Sequence, residues 1–210
     1  MTSLLLASAS PARAATLGAA GIRPIVRVSH VDEDGAVAAA RAARGPLTVA
    51  ETVAVLAAAK TRAVATDPEA PRADVILGCD SLLEFEGEAL GKPHRTDVAR
   101  ERWRHMRGRT GVLHTGHVLL TADGREASGT SRTEVDFADV TDEEIDAYIA
   151  TGEPLRVAGG FTIDGLGGAF ISGVRGDHHG VVGLSLPLLR TLLADLGIGW
   201  TSLWDWRVVD

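Results

Sequence analysis

Short apolar runs alternate along this chain with segments that begin at helix caps, and this alternation restricts the fold more than any other feature. The apolar runs are too short for helices and lie at residues 4–7, 24–28 and 75–77. Four helix starts carry cap signals, namely Ser10 before Pro11, Thr48 with Glu51, Thr141 with Glu144, and Ser185 before Pro187. Strands and helices in this order predict an α/β fold.

Two predicted hairpins interrupt the alternation. Residues 82–90 turn at Glu86-Gly87-Glu88, and strands at residues 112–120 and 131–137 turn near Asp123-Gly124. Because a hairpin joins antiparallel strands, we expect a mixed sheet with flanking helices. Between the clear elements, residues 29–46 are interpreted as a polar connection, and Thr96 is predicted to cap a helix that ends near Arg107.

Charge and composition exclude several classes of function. The 210 residues include 28 acidic and 21 basic side chains, for a formal charge of −7. A nucleic-acid polymer is therefore not an expected partner, since such binding needs many basic contacts to phosphate. No apolar run approaches the ~20 residues that span a bilayer, and the opening stretch is not typical of a signal peptide. The length suits a single domain over residues 1–210. One cysteine, Cys79, allows no internal disulfide and fits a reducing compartment, so we expect a cytoplasmic protein.

A first candidate for phosphate binding lies between the first strand and the first helix. Ser8, Ser10 and Arg13 offer two hydroxyls and a guanidinium close to a predicted helix N-terminus. Free backbone N–H groups and the helix dipole favour phosphate at such a position. The alternative is an ordinary serine cap next to a surface arginine.

The two lysines form a second group of candidates, because the chain otherwise uses arginine as its basic residue. Lys60 lies on the apolar stripe of the helix that begins at Thr48, where it either extends its charge to solvent or meets an anion. Lys92 lies in the turn Gly91-Lys92-Pro93, which can present its charge rigidly, although a surface lysine is the commoner case in a turn.

Carboxylates supply the remaining candidates. Asp80 follows the apolar run at residues 75–79 and is predicted at the carboxyl end of a buried strand, where α/β folds bind ligands. It could serve as a general base or a metal ligand, or it could be a turn residue that caps the next segment. The acidic run at residues 32–34, which contains Glu33, could supply a magnesium ligand or form a solvated loop.

Two further features are less informative. The adjacent pair His178-His179 lacks the i, i+4 spacing of a zinc pair on a helix. An arginine-rich stretch is interpreted as a solvated helix face (Arg100, Arg102, Arg104, Arg107 and Arg109). No role is assigned to the tail tryptophans (Trp200, Trp204 and Trp206).

Taken in order, these segments resemble the Maf family over about residues 4–196. The similar segments are residues 6–13, Val31-Asp32-Glu33, Leu56-Ala57-Ala58-Ala59-Lys60, Gly78-Cys79-Asp80, residues 87–93 with the turn Gly91-Lys92-Pro93, residues 144–154 and residues 182–187. Each motif is modest by itself, but seven in the same order make a strong signal.

The resemblance implies an α/β fold similar to the inosine triphosphate pyrophosphatases, with two lobes around a central cleft. It also implies hydrolysis of a nucleoside triphosphate to the monophosphate and pyrophosphate, a divalent cation such as Mg²⁺ or Mn²⁺, and often a homodimer. Asp80 would be the catalytic proton acceptor, and Glu33 and Asp80 the metal-side carboxylates. The phosphate contacts would come from Ser8, Ser10, Arg13, Lys60 and Lys92. The substrate would be a non-standard or surplus nucleotide.

Three positions depart from the family pattern: Ala12 replaces an arginine, Asp164 a glutamine and Gly180 an asparagine. A carboxamide can pair with the mixed edge of uracil or thymine, whereas an ionised carboxylate only accepts. Asp164 therefore favours a base edge with adjacent donors, as in guanine, unless it only caps a glycine-rich turn.

Two other functions remain open from the sequence. The chain could be a non-catalytic regulator of cell division that acts through protein contacts, although such a module would not need Asp80, Lys60, Lys92 and Arg13. It could also be a phosphatase that releases single phosphates, because the same donors suit either bond.

Overall fold

The computed structural model describes residues 1–205, so Trp206 lies outside the described part. Within residues 1–205, seven strands form one mixed sheet: β1 (Leu4–Leu6), β2 (Ile25–Val26), β3 (Val75–Phe85), β4 (Glu88–Leu90), β5 (Thr110–Thr121), β6 (Glu126–Phe137) and β7 (Ile171–Arg175). Their order is β2-β1-β3-β5-β6-β7, with β4 paired to β3. β1 runs parallel to β2 and β3, and every other pairing is antiparallel. The predicted mixed sheet and both hairpins are confirmed.

The described helices are α1 (Pro11–Ala19), α2 (Glu33–Arg44), α3 (Val49–Ala65), α4 (Thr96–Met106), α5 (Asp142–Ala150), α6 (His178–Val182) and α7 (Leu186–Asp195). The four predicted caps are confirmed, because the side chains of Ser10, Thr48, Thr141 and Ser185 each accept a hydrogen bond from the first turn. In the described part of the chain, no helix has the length and apolar character needed to cross a membrane.

Helix α3 packs directly on β3 and β5 because two glycines leave room for it. A Cβ on Gly78 would lie 2.2 Å from Thr61 Oγ1, and one on Gly116 would lie 2.5 Å from the Val53 carbonyl oxygen. Neither distance is compatible with a side chain, so the backbones can approach this closely only with glycine. The close packing brings the inward face of α3, including Lys60, onto the middle of β3.

Two hydrophobic clusters form the main core. The first joins β1, α1 and α7 and includes Leu17, Leu77 and Leu189, with Trp200 and Trp204 packed against it. The second joins α4 and α5 to the far ends of β3, β5 and β6 (Leu83, Trp103, Leu113, Phe137, Tyr148 and Phe161). Edge-to-face contacts order the second cluster, with the Trp103 ring 5.6 Å from Phe137 and 5.5 Å from Tyr148 between centroids. The two tail tryptophans in the described part are thus partly buried and pack on the first cluster.

Three details of the sequence interpretation are wrong. Residues 33–44 form α2 instead of a connection, because Asp32 caps the helix while Glu33 and Asp34 complement its dipole in the first turn. Apart from Val37 its apolar residues are alanines, so the sequence alone did not distinguish this helix from an alanine-rich connection. The cap of α4 is Arg95, without a side-chain hydrogen bond, and Thr96 is already helical.

The third correction concerns Asp80, which lies in the middle of β3 and not at its end. The parallel partner β1 reaches only to Leu6, opposite Leu77, whereas β3 continues along β5 as far as Glu84. Asp80 therefore lies three residues beyond the last parallel pair. Asp80 nevertheless lies just beyond the carboxyl end of the parallel strand β1, and α/β folds typically bind ligands beside such strand ends.

Candidate active site

A gap in the edge of the sheet opens on a cleft of about 570 Å³. On this side β3 is paired with β1 up to Leu77 and with β4 again from Leu83. Between these pairings β3 has no partner strand among residues 1–205 on this side, and Asp80, Ser81 and Leu82 line the cleft there. Every candidate named from the sequence lines this cleft: Ser8, Ser10, Arg13, Glu33, Lys60, Asp80, Lys92 and Asp164.

Three of these side chains are in direct contact. The Lys60 ammonium lies 2.5 Å from Asp80 Oδ1 and 2.8 Å from Glu33 Oε1. Lys60 comes from α3, Glu33 from the first turn of α2 and Asp80 from β3, so the group joins three elements. Lys60 thus meets anions, and the alternative in which it reaches past the apolar surface to solvent is excluded.

Asp80 is nearly enclosed, with 7% of its surface exposed. Burial raises the pKa of its carboxyl above the ordinary value, and the nearby charges of Lys60 and Arg13 oppose this without reversing it. Its neighbour Cys79 is fully buried, and burial raises the pKa of that thiol to about 12. The thiol stays protonated near neutral pH, so Cys79 is not poised to act as a nucleophile.

Ser8 and Ser10 shape the turn that leads into α1. The Ser10 hydroxyl caps the helix by accepting from the Arg13 N–H, and Ser8 Oγ accepts from the Ser10 N–H and from Arg13 Nη1 at 3.1 Å each. Since both hydroxyl oxygens act as acceptors within the protein, their own O–H groups remain to donate. A hydroxyl that donates is suited to a phosphate oxygen.

Arg13 is buried, and the protein already occupies most of its donors. Its Nε donates to the Gly183 carbonyl at 2.7 Å, Nη1 to the Cys79 carbonyl at 2.9 Å and Nη2 to Ser81 Oγ at 3.0 Å. These bonds tie α1 to β3 and to the segment between α6 and α7. The structure therefore gives Arg13 a structural task that the sequence did not indicate.

A second buried bridge runs from β5 to the start of α7 through His117. Its Nδ1–H donates to the Thr115 carbonyl at 3.0 Å, and its Nε2 accepts from the Ser185 N–H at 2.9 Å. The bond from the Ser185 N–H requires a neutral ring, because a protonated Nε2 cannot accept. Burial accordingly lowers the pKa of His117 to about 4.

His117 should therefore make the fold sensitive to acid. The folded pKa lies below the ordinary ~6.5, so its contribution to stability is complete above that value and is lost as the pH falls towards 4. Between pH 7 and pH 5 we expect a linked loss of about 2 kcal/mol in the free energy of unfolding. Urea titrations of wild type and His117→Gln at both pH values measure it. Equal losses in the two proteins would show that His117 does not titrate on unfolding, and His178→Gln, at an exposed histidine, is the control.

Charged and titratable residues that were only partly predicted from the sequence also line the cleft. Lys92 is exposed in the turn after β4, and Asp164 is exposed in the segment after Phe161. His94 and Arg156 line the cleft as well. Arg156 gave no sequence signal, because it is one of many arginines in this chain. His94 adopts a rare positive φ of 61°, which turns the chain towards the cleft and is visible only in the structure.

Within residues 1–205, neither the histidine pair nor the arginine-rich helix lines the cleft. One described group of three side chains, Asp177, His178 and His179, has donor atoms within 4.8 Å of one another and could share a metal ion. The arginines mostly form surface ion pairs, for example Arg104 with Asp142 at 2.7 Å, as expected for a solvated face. Arg102 differs, because it is half-buried and donates to the Gly91 carbonyl.

The family assignment follows from comparison with known proteins. The sequence profile of the Maf-like protein family matches residues 3–196. The chain belongs to the Maf family. Two of its Maf relatives are a protein of Nocardia farcinica, 53% identical over 210 residues and covering 97% of this chain and 98% of the relative, and one of Leifsonia xyli subsp. xyli, 55% identical over 208 residues and covering 96% of each. Both are named nucleoside triphosphate pyrophosphatase.

A solved structure that is similar to this chain aligns more loosely. The Ham1 protein of Staphylococcus aureus covers 92% of this chain and 99% of its own, with 14% identity and a TM-score of 0.45. At these values the overlap adds nothing to what the sheet and helices show by themselves. The fold class of this Maf protein rests on its own mixed sheet.

Proposed function

We propose that this Maf protein hydrolyses a nucleoside triphosphate between its α- and β-phosphates and releases a nucleoside monophosphate and pyrophosphate. The observation that carries the proposal is the buried Asp80 carboxylate, held by Lys60 at 2.5 Å on the open edge of the sheet in a cleft of about 570 Å³. The names of the two relatives support the same reaction.

Asp80 acts as the general base in this proposal. Its carboxylate accepts a proton from a water molecule, the water oxygen bonds to the α-phosphorus, and the bond from that phosphorus to the bridging oxygen breaks. Pyrophosphate leaves with the electron pair of the broken bond. A carboxylate with a raised pKa is a better proton acceptor near neutral pH than an ordinary one.

Cationic and hydroxyl donors bind the phosphates. Lys60 and Lys92 supply compact charges in the cleft, and Ser8 and Ser10 supply O–H donors at the N-terminus of α1. Arg13 fixes the position of Ser8, because its Nη1 donates a hydrogen bond to Ser8 Oγ. Charge that develops on the phosphate oxygens would thus meet donors that are already oriented.

Glu33 and Asp80 are the residues that would hold a divalent cation. Their carboxylates converge on one ammonium group, at 2.8 and 2.5 Å, so the site already concentrates two anionic oxygen donors around a single cation. Oxygen donors of this kind suit Mg²⁺ and Mn²⁺, which leave further positions to water and phosphate. A bound cation would supply charge neutralisation on the substrate phosphates.

Exhaustive chelation is therefore expected to abolish turnover, and added Mg²⁺ or Mn²⁺ to restore it. Glu33→Gln should raise the metal concentration for half-maximal rate roughly tenfold or more, because one of two anionic donors is lost. Asp34→Asn is the matched control, since Asp34 is the exposed neighbour outside this contact group. Full activity after chelation would refute metal dependence, and equal metal curves for the two variants would remove Glu33 from the metal site.

Hydrolysis in ¹⁸O-labelled water tests the reaction itself. Phosphorus NMR of the products should show monophosphate and pyrophosphate, with the label in the monophosphate. Release of single phosphates would favour a phosphatase, and label in the pyrophosphate would place the attack on the β-phosphorus. No turnover of any nucleotide with either metal would favour the non-catalytic regulator.

The proposed substrates are non-standard or surplus nucleotides, with guanine-type bases preferred because of Asp164. Its carboxylate can only accept, and it should reject bases without adjacent donors by about 5- to 150-fold. The specificity constants of GTP, 7-methyl-GTP, UTP and dTTP should therefore favour the guanines in wild type and move towards the pyrimidines in Asp164→Gln. An unchanged ranking in the variant would show that Asp164 does not read the base.

A further inference from the structure

A single carboxylate, that of Glu153, holds the segment that carries Asp164. Glu153 follows α5 at the start of the 3-10 helix Glu153–Arg156. Its Oε1 accepts from the Tyr148 hydroxyl at 2.9 Å, the Thr162 hydroxyl at 2.6 Å and the Gly167 N–H at 3.1 Å, and its Oε2 accepts from the Leu166 N–H at 3.1 Å. Four donors, three of them from residues 162–167, thus converge on one side chain.

The segment packs against Glu153 and Tyr148 without spare room. A Cβ on Gly165 would lie 2.8 Å from Glu153 Oε2, and one on Gly167 would lie 2.4 Å from the Tyr148 hydroxyl oxygen. Side chains at these positions would push the backbone away from the carboxylate. Two glycines of the glycine-rich stretch are thereby explained as close-approach positions.

The carboxylate of Glu153 is ionised in this setting. Burial alone would raise its pKa, but the hydrogen bonds from Thr162, Leu166, Gly167 and Tyr148 hold it below the ordinary value. A carboxylate that accepts several charge-assisted bonds fixes its donors more firmly than a neutral group can.

The segment held in this way lines the cleft with Thr162 and Asp164. Thr162 is bound through its hydroxyl to Glu153 and through its N–H to Tyr148, so its backbone is fixed. Asp164 is exposed, and within residues 1–205 its carboxylate makes no hydrogen bond or ion pair. A fixed backbone therefore presents a free carboxylate to the cleft, and in the described part of the chain residues 162–167 share no hydrogen bond or ion pair with Asp80 or Lys60.

We propose that Glu153 is a positioning residue that fixes residues 162–167 as the nucleoside-facing wall of the cleft. Glu153 then determines the affinity for the nucleoside part of the ligand, whereas binding of the phosphate part and the bond-breaking step depend on Asp80, Lys60 and the residues around them. This inference rests on the proposed function for the identity of the ligand, a nucleotide.

Glu153→Gln tests the inference, because the amide keeps the shape but turns an NH₂ group towards donors. The probes are GMP, UMP and pyrophosphate, measured by titration calorimetry, which needs no turnover. We expect the dissociation constant of the better-bound monophosphate to rise roughly 5- to 150-fold, while that of pyrophosphate stays within about twofold of wild type. With GTP, KM should rise and kcat should stay within about threefold. Glu143→Gln, at an exposed glutamate on α5 itself, is the matched control and should change neither ligand.

The other outcomes overturn the proposal. Equal weakening of monophosphate and pyrophosphate would make Glu153 a scaffold for the whole cleft, and no weakening of either would place the nucleoside elsewhere. If Glu153→Gln does not fold, Thr162→Val removes one donor to the same carboxylate and should weaken the monophosphate selectively. A wild-type protein that binds the monophosphate but hydrolyses no triphosphate would refute the proposed reaction and leave the binding test of Glu153 valid.

Discussion

Asp80→Asn is expected to lower kcat by ~10²–10⁴-fold while the protein stays folded, because an amide cannot accept the proton of the attacking water. The change is isosteric, and it also removes one of the two carboxylates that contact Lys60. Steady-state hydrolysis of the preferred triphosphate measures the effect, and circular dichroism with a urea titration verifies the fold. The matched control is Asp195→Asn at the exposed end of α7, which should retain wild-type activity.

A folded Asp80→Asn protein with more than about a tenth of wild-type kcat would contradict the assignment of Asp80 as the base. The pH dependence offers a second check. Since burial raises the pKa of Asp80, the acid limb of kcat/KM should lie above the ~3.9 of an ordinary aspartate, with the rate falling as the pH drops through it. That limb should be absent from any residual activity of the variant.

The sequence was sufficient to predict the elements of the sheet that position this site. Caps such as that of Thr48 mark helix starts through local chemistry, and period-2 runs mark the long hairpin of β5 and β6, so both are legible without tertiary information. Lys60 was predicted to face inward from its helical period, and its contact with Asp80 follows from the packing of α3 on β3.

Features that depend on distant contacts could not be predicted in the same way. Arg13 bonds the Gly183 carbonyl 170 residues away, and nothing near either residue in the sequence indicates the partner. Glu153 was part of a recognised motif, yet its donors at Thr162, Leu166 and Gly167 become visible only when the loop is folded against it. α2 was missed for a different reason, because its apolar residues are alanines apart from Val37, and such a stretch is also typical of a polar connection.

Arg13→Met is expected to reduce the free energy of unfolding by about 3–5 kcal/mol in the absence of any ligand. The aliphatic stem is largely kept, but the variant loses the four hydrogen bonds of the guanidinium, to Ser8, Cys79, Ser81 and Gly183. Each buried acceptor left without a donor costs ~1–3 kcal/mol, and two of these four are backbone carbonyls that cannot turn away. Urea titrations followed by far-ultraviolet circular dichroism measure the loss, provided that the slope with denaturant is unchanged.

The matched control is Arg190→Met, the same chemical change on the exposed face of α7, which should stay within about 0.5 kcal/mol of wild type. Loss of activity in Arg13→Met would not by itself separate a phosphate ligand from a structural tie, since both roles predict it. Stability without ligand does separate them. If Arg13 only binds phosphate and other residues hold the wall in place, Arg13→Met should leave the stability without ligand unchanged. An Arg13→Met protein within about 1 kcal/mol of wild type would therefore assign Arg13 to substrate binding alone. The full loss would instead show that the guanidinium joins α1, β3 and the α6–α7 segment into the wall on which Ser8 and Asp80 are held.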